Sequence, residues 1–206
     1  MDGIKIIFEN DELIVVDKPS GMPTHPSRIH QGDSLADAVA GYLHDPGFVF
    51  RAINRLDRET SGLVIIAKNR QSAARLSELM RSNKIQREYE AEISDDGSIA
   101  DHGTIDAPIS RYNPEDPHDI RRTVDFENGE RAVTHYTVID RGPGYARVRC
   151  TLETGRTHQI RVHMSYIGHP IIGDSLYNPL SKPGDMAKLR AVKLTVGDDP
   201  VLIFEI

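Results

Sequence analysis

Residues 54–67 read Asn-Arg-Leu-Asp-Arg-Glu-Thr-Ser-Gly-Leu-Val-Ile-Ile-Ala, a polar loop that leads into an apolar, largely β-branched run. Such a run, which follows Gly62 and precedes a polar pair, predicts a buried strand over 63–67. The loop presents the carboxylate of Asp57 beside this strand, so a rigid scaffold would hold it. The neighbouring Arg55 would favour an ionised carboxylate or bind an anionic ligand.

A second dense segment follows about 100 positions later. Residues 154–163 read Thr-Gly-Arg-Thr-His-Gln-Ile-Arg-Val-His, and their spacing predicts a helix over about 157–167. Helical periodicity places Thr157, Arg161 and, less closely, Met164 on one face.

These segments together resemble the RluA-type pseudouridine synthases. The family signature is an Arg-Leu-Asp-x-x-Thr-Ser-Gly-Leu loop followed much later by Gly-Arg-Thr/Ser-His-Gln-Ile/Leu-Arg-x-His. Several matches in order are far more specific than one, and here they extend roughly over residues 4–177. The matching segments are 17–26 (Asp-Lys-Pro-Ser-Gly-Met-Pro-Thr-His-Pro), 54–63, 87–91 (Arg-Glu-Tyr-Glu-Ala), 155–163 and 168–174 (Gly-His-Pro-Ile-Ile-Gly-Asp).

The resemblance implies an α+β fold, with a mixed, largely antiparallel sheet, flanking helices and a central catalytic cleft. It also implies an RNA pseudouridine synthase that isomerises uridines in structured rRNA or tRNA. We expect residues 1–206 to form a single catalytic domain without the S4 RNA-binding domain that many relatives carry. Because the reaction is an isomerisation, we expect no cofactor.

The resemblance also assigns the catalytic residues. Asp57 would be the essential carboxylate near C1′ or C6 of the uridine, Arg161 would pair with Asp57, and Tyr89 would contact the target base. Each has a structural alternative. Asp57 alone would be read as a turn-capping residue, Arg161 as a solvent-facing helix arginine, and Tyr89 as a half-buried strand residue.

Four further residues are predicted to contact RNA or the base. Arg55 would replace the flipped nucleotide or hold its phosphate, because the base must leave the stack. Arg156 and His158 would contact the RNA backbone, and Leu189 would form an apolar wall beneath the uracil.

The chain departs from the family pattern at two positions. Asn54 stands where relatives usually have histidine before Arg-Leu-Asp. Arg190 stands where they often have histidine in Leu-His-Ala. We expect neither residue to carry the essential chemistry, although both positions are placed to influence substrate choice.

The composition is that of an ordinary cytosolic protein. The chain has 206 residues, 38% of them hydrophobic, and a net charge of −6, with no apolar run long enough to span a membrane and no signal-peptide pattern at residues 1–3. Cys150 lies in an apparent strand and is expected to be a core thiol. We expect a cytoplasmic monomer, with structured RNA as its partner and no protein partner implied.

The acidic total argues against a generic nucleic-acid binder, because such binding depends on neutralising phosphates. The charge is unevenly distributed, however. Residues 68–87 hold six basic residues against only Glu78, and 147–163 hold four against only Glu153. A local basic face is therefore expected, with a solvated helix surface as the alternative for 68–87.

Patterning and turn residues predict the remaining elements. Residues 19–34 are expected to form a long loop, and the acidic, turn-rich segment 95–130 to be an insertion with little regular structure. Further strands are predicted at 4–9, 13–17, 87–94, 132–140, 145–153, 192–196 and 201–206, the last two joined by a turn at 197–200, and further helices at 34–43 and 70–83.

Other functions are less consistent with these residues. His158, His163 and His169 are spaced by five and six, unlike a helical zinc pair, so we expect no metal site. A non-catalytic RNA-binding module that keeps the fold is the main alternative. A hydrolase with Asp57 and Glu59 as paired carboxylates is a third, but carboxylates two positions apart on one loop rarely face each other across a substrate.

Overall fold

The computed structural model describes residues 4–26, 32–45, 47–197 and 200–206. The chain forms two compact units, the first comprising Met1–Arg87 and Arg190–Ile206 and the second Glu88–Leu189. The helices are α1 (Leu35–Leu43), α2 (Arg70–Arg81) and α3 (Gln159–Tyr166). The strands are β1 (Lys5–Glu9), β2 (Leu13–Lys18), β3 (Ser61–Ala67), β4 (Ile85–Ser94), β5 (His102–Asp106), β6 (Ile109–Arg111), β7 (Arg122–Val124), β8 (Val133–Gly142), β9 (Tyr145–Leu152), β10 (Leu189–Val196) and β11 (Leu202–Glu205).

In the first unit, the predicted apolar run forms β3, which lies between β2 and β10. β3 pairs antiparallel with β2 and parallel with β10. Gly62 is required at the start of β3, because its φ is +112° and an added Cβ would lie 2.2 Å from the carbonyl oxygen of Ala191. The Asp57 loop therefore leads directly into a strand that is buried from Gly62 to Ala67.

Both predicted helices of the first unit are confirmed, with ends set by capping residues. Ser34 caps α1 together with Asp37, and Asn69 caps α2 together with Ser72. Such capping boxes satisfy main-chain N–H groups that have no partner within the helix. On α2, Leu76 is fully buried in the core. Ala73 and Met80, the other two residues of the predicted apolar stripe, are partly buried and pack against the same core.

In the second unit, β4, β9, β8 and β5 form an antiparallel sheet in that order. The predicted alternation along β4 is confirmed, since Tyr89, Ala91 and Ile93 are buried while the intervening glutamates are half-buried. The strands predicted at 132–140 and 145–153 are present as β8 and β9, with ends shifted by one or two residues. The mixed, largely antiparallel pairing and the accompanying helices confirm the α+β class.

The expectation of little regular structure in residues 95–130 is wrong. This segment contains β5 and the β6–β7 hairpin. Among the described strands, β5 pairs with β8 alone, and Ile105 is the one buried residue of β5. A short edge strand of this kind buries so little that it leaves no clear apolar alternation in the sequence.

α3 begins two residues later than predicted because His158 adopts a left-handed conformation, with φ of 59°. No helix in the described ranges is long and apolar enough to cross a membrane. The strands predicted on either side of 197–200 are present as β10 and β11. Residues 198–199 of that turn, 27–31 of the long loop and 1–3 at the amino terminus lie outside the described residues.

Candidate active site

The Asp57 loop is anchored on both sides of the carboxylate. Leu56 is buried, its carbonyl accepts a hydrogen bond from the Thr24 hydroxyl at 2.7 Å, and the Thr60 N–H donates to the Asp57 carbonyl at 3.1 Å. Asp57 itself is half-buried, whereas Arg55 is exposed. This arrangement gives Asp57 a fixed main chain and partial access to solvent.

Arg55 lies near the loop that follows β2. Burial and the Arg55 charge lower the pKa of His25, which packs edge-on against Phe50 at 5.3 Å. The exposed side chain of Arg55 is therefore close to the loop that follows β2, which contains His25. Its predicted contact with RNA stays a prediction.

Asn54 has a structural role. The buried side-chain amide donates to the Leu63 carbonyl at 3.0 Å and accepts from the Ile65 N–H at 2.8 Å. It therefore satisfies two main-chain groups of β3 just before the Asp57 loop. This departure from the family pattern serves to anchor the loop.

The sequence reasoning missed the role of Lys18. Its ammonium group is fully buried and donates to the carbonyls of Pro19 at 3.0 Å, Met22 at 2.7 Å and Arg58 at 3.2 Å. Burial lowers the pKa of Lys18 to about 8, although the carboxylates of Asp57 and Glu59 oppose that shift. Lys18 thus joins the end of β2 to the Asp57 loop and places a cation near the carboxylate.

Arg190, the second departure, also has a defined partner. Its guanidinium donates to the Asp17 carboxylate at 2.7 Å and to the Ser61 hydroxyl at 3.5 Å. The pair connects β10 to β2 beside β3. Arg190 therefore supports the sheet under the Asp57 loop.

Arg161 is buried on α3, which excludes the solvent-facing alternative. Its Nε and Nη2 donate to the two carboxylate oxygens of Asp174, each at 2.7 Å, and both side chains are almost fully inaccessible. The guanidinium carbon lies 5.2 Å from the centroid of the Tyr177 ring. The sequence pattern included Asp174 without assigning it a role, and the pairing of Arg161 with Asp57 stays a prediction.

His158 is also buried. Its Nδ1 lies 2.7 Å from the Tyr177 hydroxyl, which accepts a hydrogen bond from the Arg122 N–H at 2.8 Å. The rings of His158 and Tyr177 meet edge-to-face. This packing gives His158 a structural partner, and its predicted RNA contact stays a prediction.

Arg156 lies on the surface, where its guanidinium pairs with the Glu130 carboxylate and donates to the Arg131 carbonyl. An RNA phosphate would have to compete with that carboxylate. The Arg156 guanidinium would have to leave Glu130 to make the predicted contact with the RNA backbone.

Tyr89 and Leu189 are each 5% exposed. Tyr89 pairs in register with Cys150 of the neighbouring strand. Cys150 is fully buried, which confirms the predicted core thiol, and burial raises its pKa to about 12. The predicted base contacts of Tyr89 and Leu189 stay predictions.

The other two histidines of the motif are packing residues. His163 is fully buried between the Thr134 hydroxyl and the Ala107 carbonyl, each 2.9 Å away, and burial lowers its pKa. The Nδ1 of His169 lies 3.2 Å from the Ser94 carbonyl. Within the described ranges, no group of three or more histidine, cysteine, aspartate or glutamate side chains is placed to hold a metal ion.

The basic segments are less positive on the surface than in the sequence. Carboxylates accompany several of their cations, which reduces the local charge available to phosphates. The pairs are Lys68–Glu9, Arg75–Glu12, Arg81–Glu78, Arg147–Glu92, Arg149–Glu90 and Arg156–Glu130.

Known proteins resemble the chain along most of its length. A profile of the family described as RNA pseudouridylate synthase matches residues 12–166. The ribosomal large subunit pseudouridine synthase D of Pseudomonas aeruginosa is 39% identical over 84% of this chain and 53% of its own length. The protein of the same name from Yersinia pestis is 37% identical over 95% of this chain and 59% of its own length. The chain therefore spans somewhat more than half the length of these curated relatives.

The fold has solved counterparts. Human RNA pseudouridylate synthase domain containing 1 superposes with a TM-score of 0.82 at 24% identity, over all of this chain and 83% of its own. At that identity the likeness shows the fold.

Proposed function

Because the chain belongs to the RNA pseudouridylate synthase family, we propose that it converts uridine to pseudouridine in RNA, with Asp57 as the essential carboxylate. The observation that carries this proposal is the anchoring of the Arg55-Leu56-Asp57 loop. Thr24 and Lys18 donate to the main-chain carbonyls on either side of Asp57, Asn54 ties the start of the loop to β3, and Asp57 keeps partial solvent access. A catalytic group needs such a pre-organised scaffold to meet its substrate in a fixed geometry.

The proposed reaction breaks the C1′–N1 bond of the uridine, turns the uracil and forms a C1′–C5 bond. N1 gains a proton and C5 loses one, so the product is an isomer of the substrate. Asp57 would either attack covalently at C1′ or C6 or stabilise the positive charge that develops as the bond breaks. Both routes need an ionised carboxylate held against the reacting carbon.

In this proposal the buried Arg161, fixed by Asp174, orients the Asp57 carboxylate, and Tyr89 contacts the target base. Leu189 supplies apolar area beside the uracil. Arg55, Arg156 and His158 contact the RNA around the displaced nucleotide. The two compact units would then act as one catalytic domain.

We propose large-subunit ribosomal RNA as the substrate, because both bacterial relatives are named for the ribosomal large subunit. Transfer RNA is the second candidate that the sequence resemblance implies. A monomer acting in the cytoplasm would have access to both RNAs.

The test is tritium release from large-subunit rRNA labelled at uridine C5. Asp57→Asn keeps the side-chain size and removes the charge, so release should become undetectable while RNA affinity persists. Glu59→Gln, two residues along the same loop, is the matched control and should keep most of the rate. Retention of a tenth or more of the wild-type rate by Asp57→Asn would overturn the assignment.

The same experiment separates the alternatives. A non-catalytic RNA-binding module would bind the rRNA without releasing tritium. A hydrolase would release free uracil, and one that uses paired carboxylates would lose activity in both variants. Mapping pseudouridines in total RNA from a deletion strain and its parent would then identify the modified position.

A further inference from the structure

A cavity of about 410 Å³ lies in the second unit, between the β6–β7 hairpin and α3. Its volume falls within the roughly 300–1,000 Å³ of small-ligand pockets. Aromatic rings and guanidinium groups make up much of its wall. These are Tyr112, Phe126, Tyr166, Tyr177, Arg121 and Arg122.

Three of these aromatic side chains are unusually exposed. Tyr112 is 57%, Phe126 67% and Tyr166 54% accessible, and the rings of Phe126 and Tyr166 lie 6.5 Å apart. Single exposed apolar residues are common, whereas a cluster around a cavity marks a binding surface. Aromatic rings that stay accessible are the groups on which unpaired bases stack.

The two arginines of the wall differ in their partners. Arg121 lies over the Tyr112 ring at 4.2 Å and binds the Asp119 carboxylate through Nε and Nη2. Arg122 donates through Nη1 to the carbonyls of Ile120 and Arg121, and in the described part of the chain no carboxylate pairs with it. Arg122 therefore keeps its charge for an anion, unlike the paired cations of α2 and β9.

Tyr177 connects this cavity to His158 and to Arg161 on α3. Its hydroxyl accepts the Arg122 N–H and lies 2.7 Å from Nδ1 of His158, and the Arg161 guanidinium packs against its ring. The wall of the cavity therefore touches the side chains that the proposed reaction uses. A ligand in the cavity would be held on the element that carries Arg161.

We propose that this cavity binds one unpaired nucleotide of the RNA substrate, at a site separate from the target uridine; this inference rests on the proposed function. The base stacks among Tyr112, Phe126 and Tyr166, and the phosphate contacts Arg122. Acidic residues lie in the hairpin connection and directly after β7, and they would repel a longer phosphate backbone. The site is therefore suited to a flipped or single-stranded nucleotide and unsuited to a duplex. These acids are Glu115 and Asp116 in the connection and Asp125 and Glu127 after β7.

The inference is tested with two variants on the cavity wall. Phe126→Ser combined with Tyr166→Ser removes two exposed rings, and Arg122→Gln removes the unpaired cation. With a short fluorescein-labelled single-stranded RNA, each variant should weaken binding by roughly tenfold. Arg122→Gln should also reduce the slope of log affinity against log salt by about one. The same RNA as a duplex should bind all variants alike.

The matched controls remove an equally exposed group elsewhere. Leu180→Ser deletes a side chain that is 82% accessible, and Lys5→Gln removes an exposed cation on β1, outside the segments predicted to contact RNA. Circular dichroism melts check that every variant is folded. Unchanged single-strand affinity in both cavity variants, or equal losses in the controls, would overturn the inference. So would a wild-type dimer in sedimentation that the ring deletion dissolves, because the cavity would then bind a second copy.

The inference and the proposed function fail in different ways. If the wild-type chain releases tritium from rRNA and the cavity variants keep its KM, the inference fails and the function stands. If no RNA is isomerised and the cavity variants still lose single-strand binding, the function fails and the nucleotide site stands. Loss of both catalysis and binding in Asp57→Asn alone would leave the cavity result unaffected, because Asp57 does not line it.

Discussion

The buried ammonium group of Lys18 donates a hydrogen bond to the main-chain carbonyl of Arg58, 3.2 Å away. Arg58 directly follows Asp57, so a cation at the end of β2 holds the main chain next to the proposed catalytic carboxylate. The same group binds the carbonyls of Pro19 and Met22. Lys18 therefore fixes two loops relative to each other at the centre of the first unit.

Lys18→Met should impair both stability and turnover. Methionine has a similar length and no donor, so three carbonyls lose their partner. These carbonyls belong to exposed or half-buried residues, so each lost hydrogen bond costs about 1 kcal/mol, and we expect a loss of about 1–3 kcal/mol in the free energy of unfolding, measured by urea denaturation. Tritium release per folded molecule should fall at least tenfold because the Asp57 loop loses its anchor.

Lys5→Met is the matched control, since Lys5 lies exposed on β1. It should leave both quantities nearly unchanged. Wild-type turnover in Lys18→Met would show that Thr24 and Asn54 alone are sufficient to hold the loop.

The pH dependence of stability should carry a signature of Lys18. Burial lowers its pKa from the usual 10.5 to about 8, so between these values the unfolded chain binds the proton and the folded chain does not. Stability that depends on Lys18 must then rise with pH across this window. The full effect is at most roughly 3 kcal/mol.

Other groups also titrate between the two pKa values of Lys18. The contribution of Lys18 is therefore measured as the difference in unfolding free energy between the wild type and Lys18→Met. The pKa of Cys150 is raised to about 12, and its titration lowers stability as the pH rises from about 9. Subtracting the unfolding free energies of Lys18→Met from those of the wild type removes that contribution. A difference that stays constant from pH 7.5 to pH 10 would contradict the lowered pKa.

Local sequence signals account for much of the first unit. The buried run at 63–67 became β3, and Ser34 sets the start of α1 as its side-chain chemistry predicts. These signals are predictive because a capping residue or an apolar run determines the structure of the few residues around it. The positions of the predicted catalytic residues came from the family pattern, since no local rule identifies Asp57 as reactive.

Buried charges were not predictable in the same way. Lys18 and Asp174 are among the least accessible residues of the chain, while lysine and aspartate are usually exposed. Their burial depends on partners distant in sequence, the Arg58 carbonyl for Lys18 and the Arg161 guanidinium for Asp174. Such long-range pairs leave no periodicity in the sequence.

Asn54→Ala should separate anchoring from chemistry. It removes the groups that satisfy the Leu63 carbonyl and the Ile65 N–H, so we expect a loss of roughly 2–4 kcal/mol of stability and a lower turnover. Asn54→Asp keeps the acceptor for Ile65 but places a carboxylate oxygen against the Leu63 carbonyl at a buried position, so it should be at least as damaging as alanine. Thermal denaturation and tritium release measure the two effects.

Asn54→His introduces the residue that relatives usually carry. A neutral imidazole has one donor and one acceptor, so it should restore part of the stability that alanine loses. If alanine proves as stable and as active as asparagine, the side-chain amide does not anchor the loop.

Arg161→Lys should be badly impaired although the charge is kept. Lysine cannot reproduce the two parallel hydrogen bonds to Asp174, because its ammonium is a compact point charge without a planar fork. We expect a loss of roughly 2 kcal/mol of stability and at least a tenfold loss of turnover, measured at a temperature where the variant is folded. Arg131→Lys, at an exposed arginine without a proposed role in RNA binding, is the control and should behave like the wild type. Asp174→Asn tests what Arg161 does beyond this pair, because it keeps the guanidinium and weakens only its anchor. If Arg161 also orients Asp57, Arg161→Lys should lose more turnover than Asp174→Asn at equal stability. Equal turnover in the two variants would mean that Arg161 acts only as the partner of Asp174.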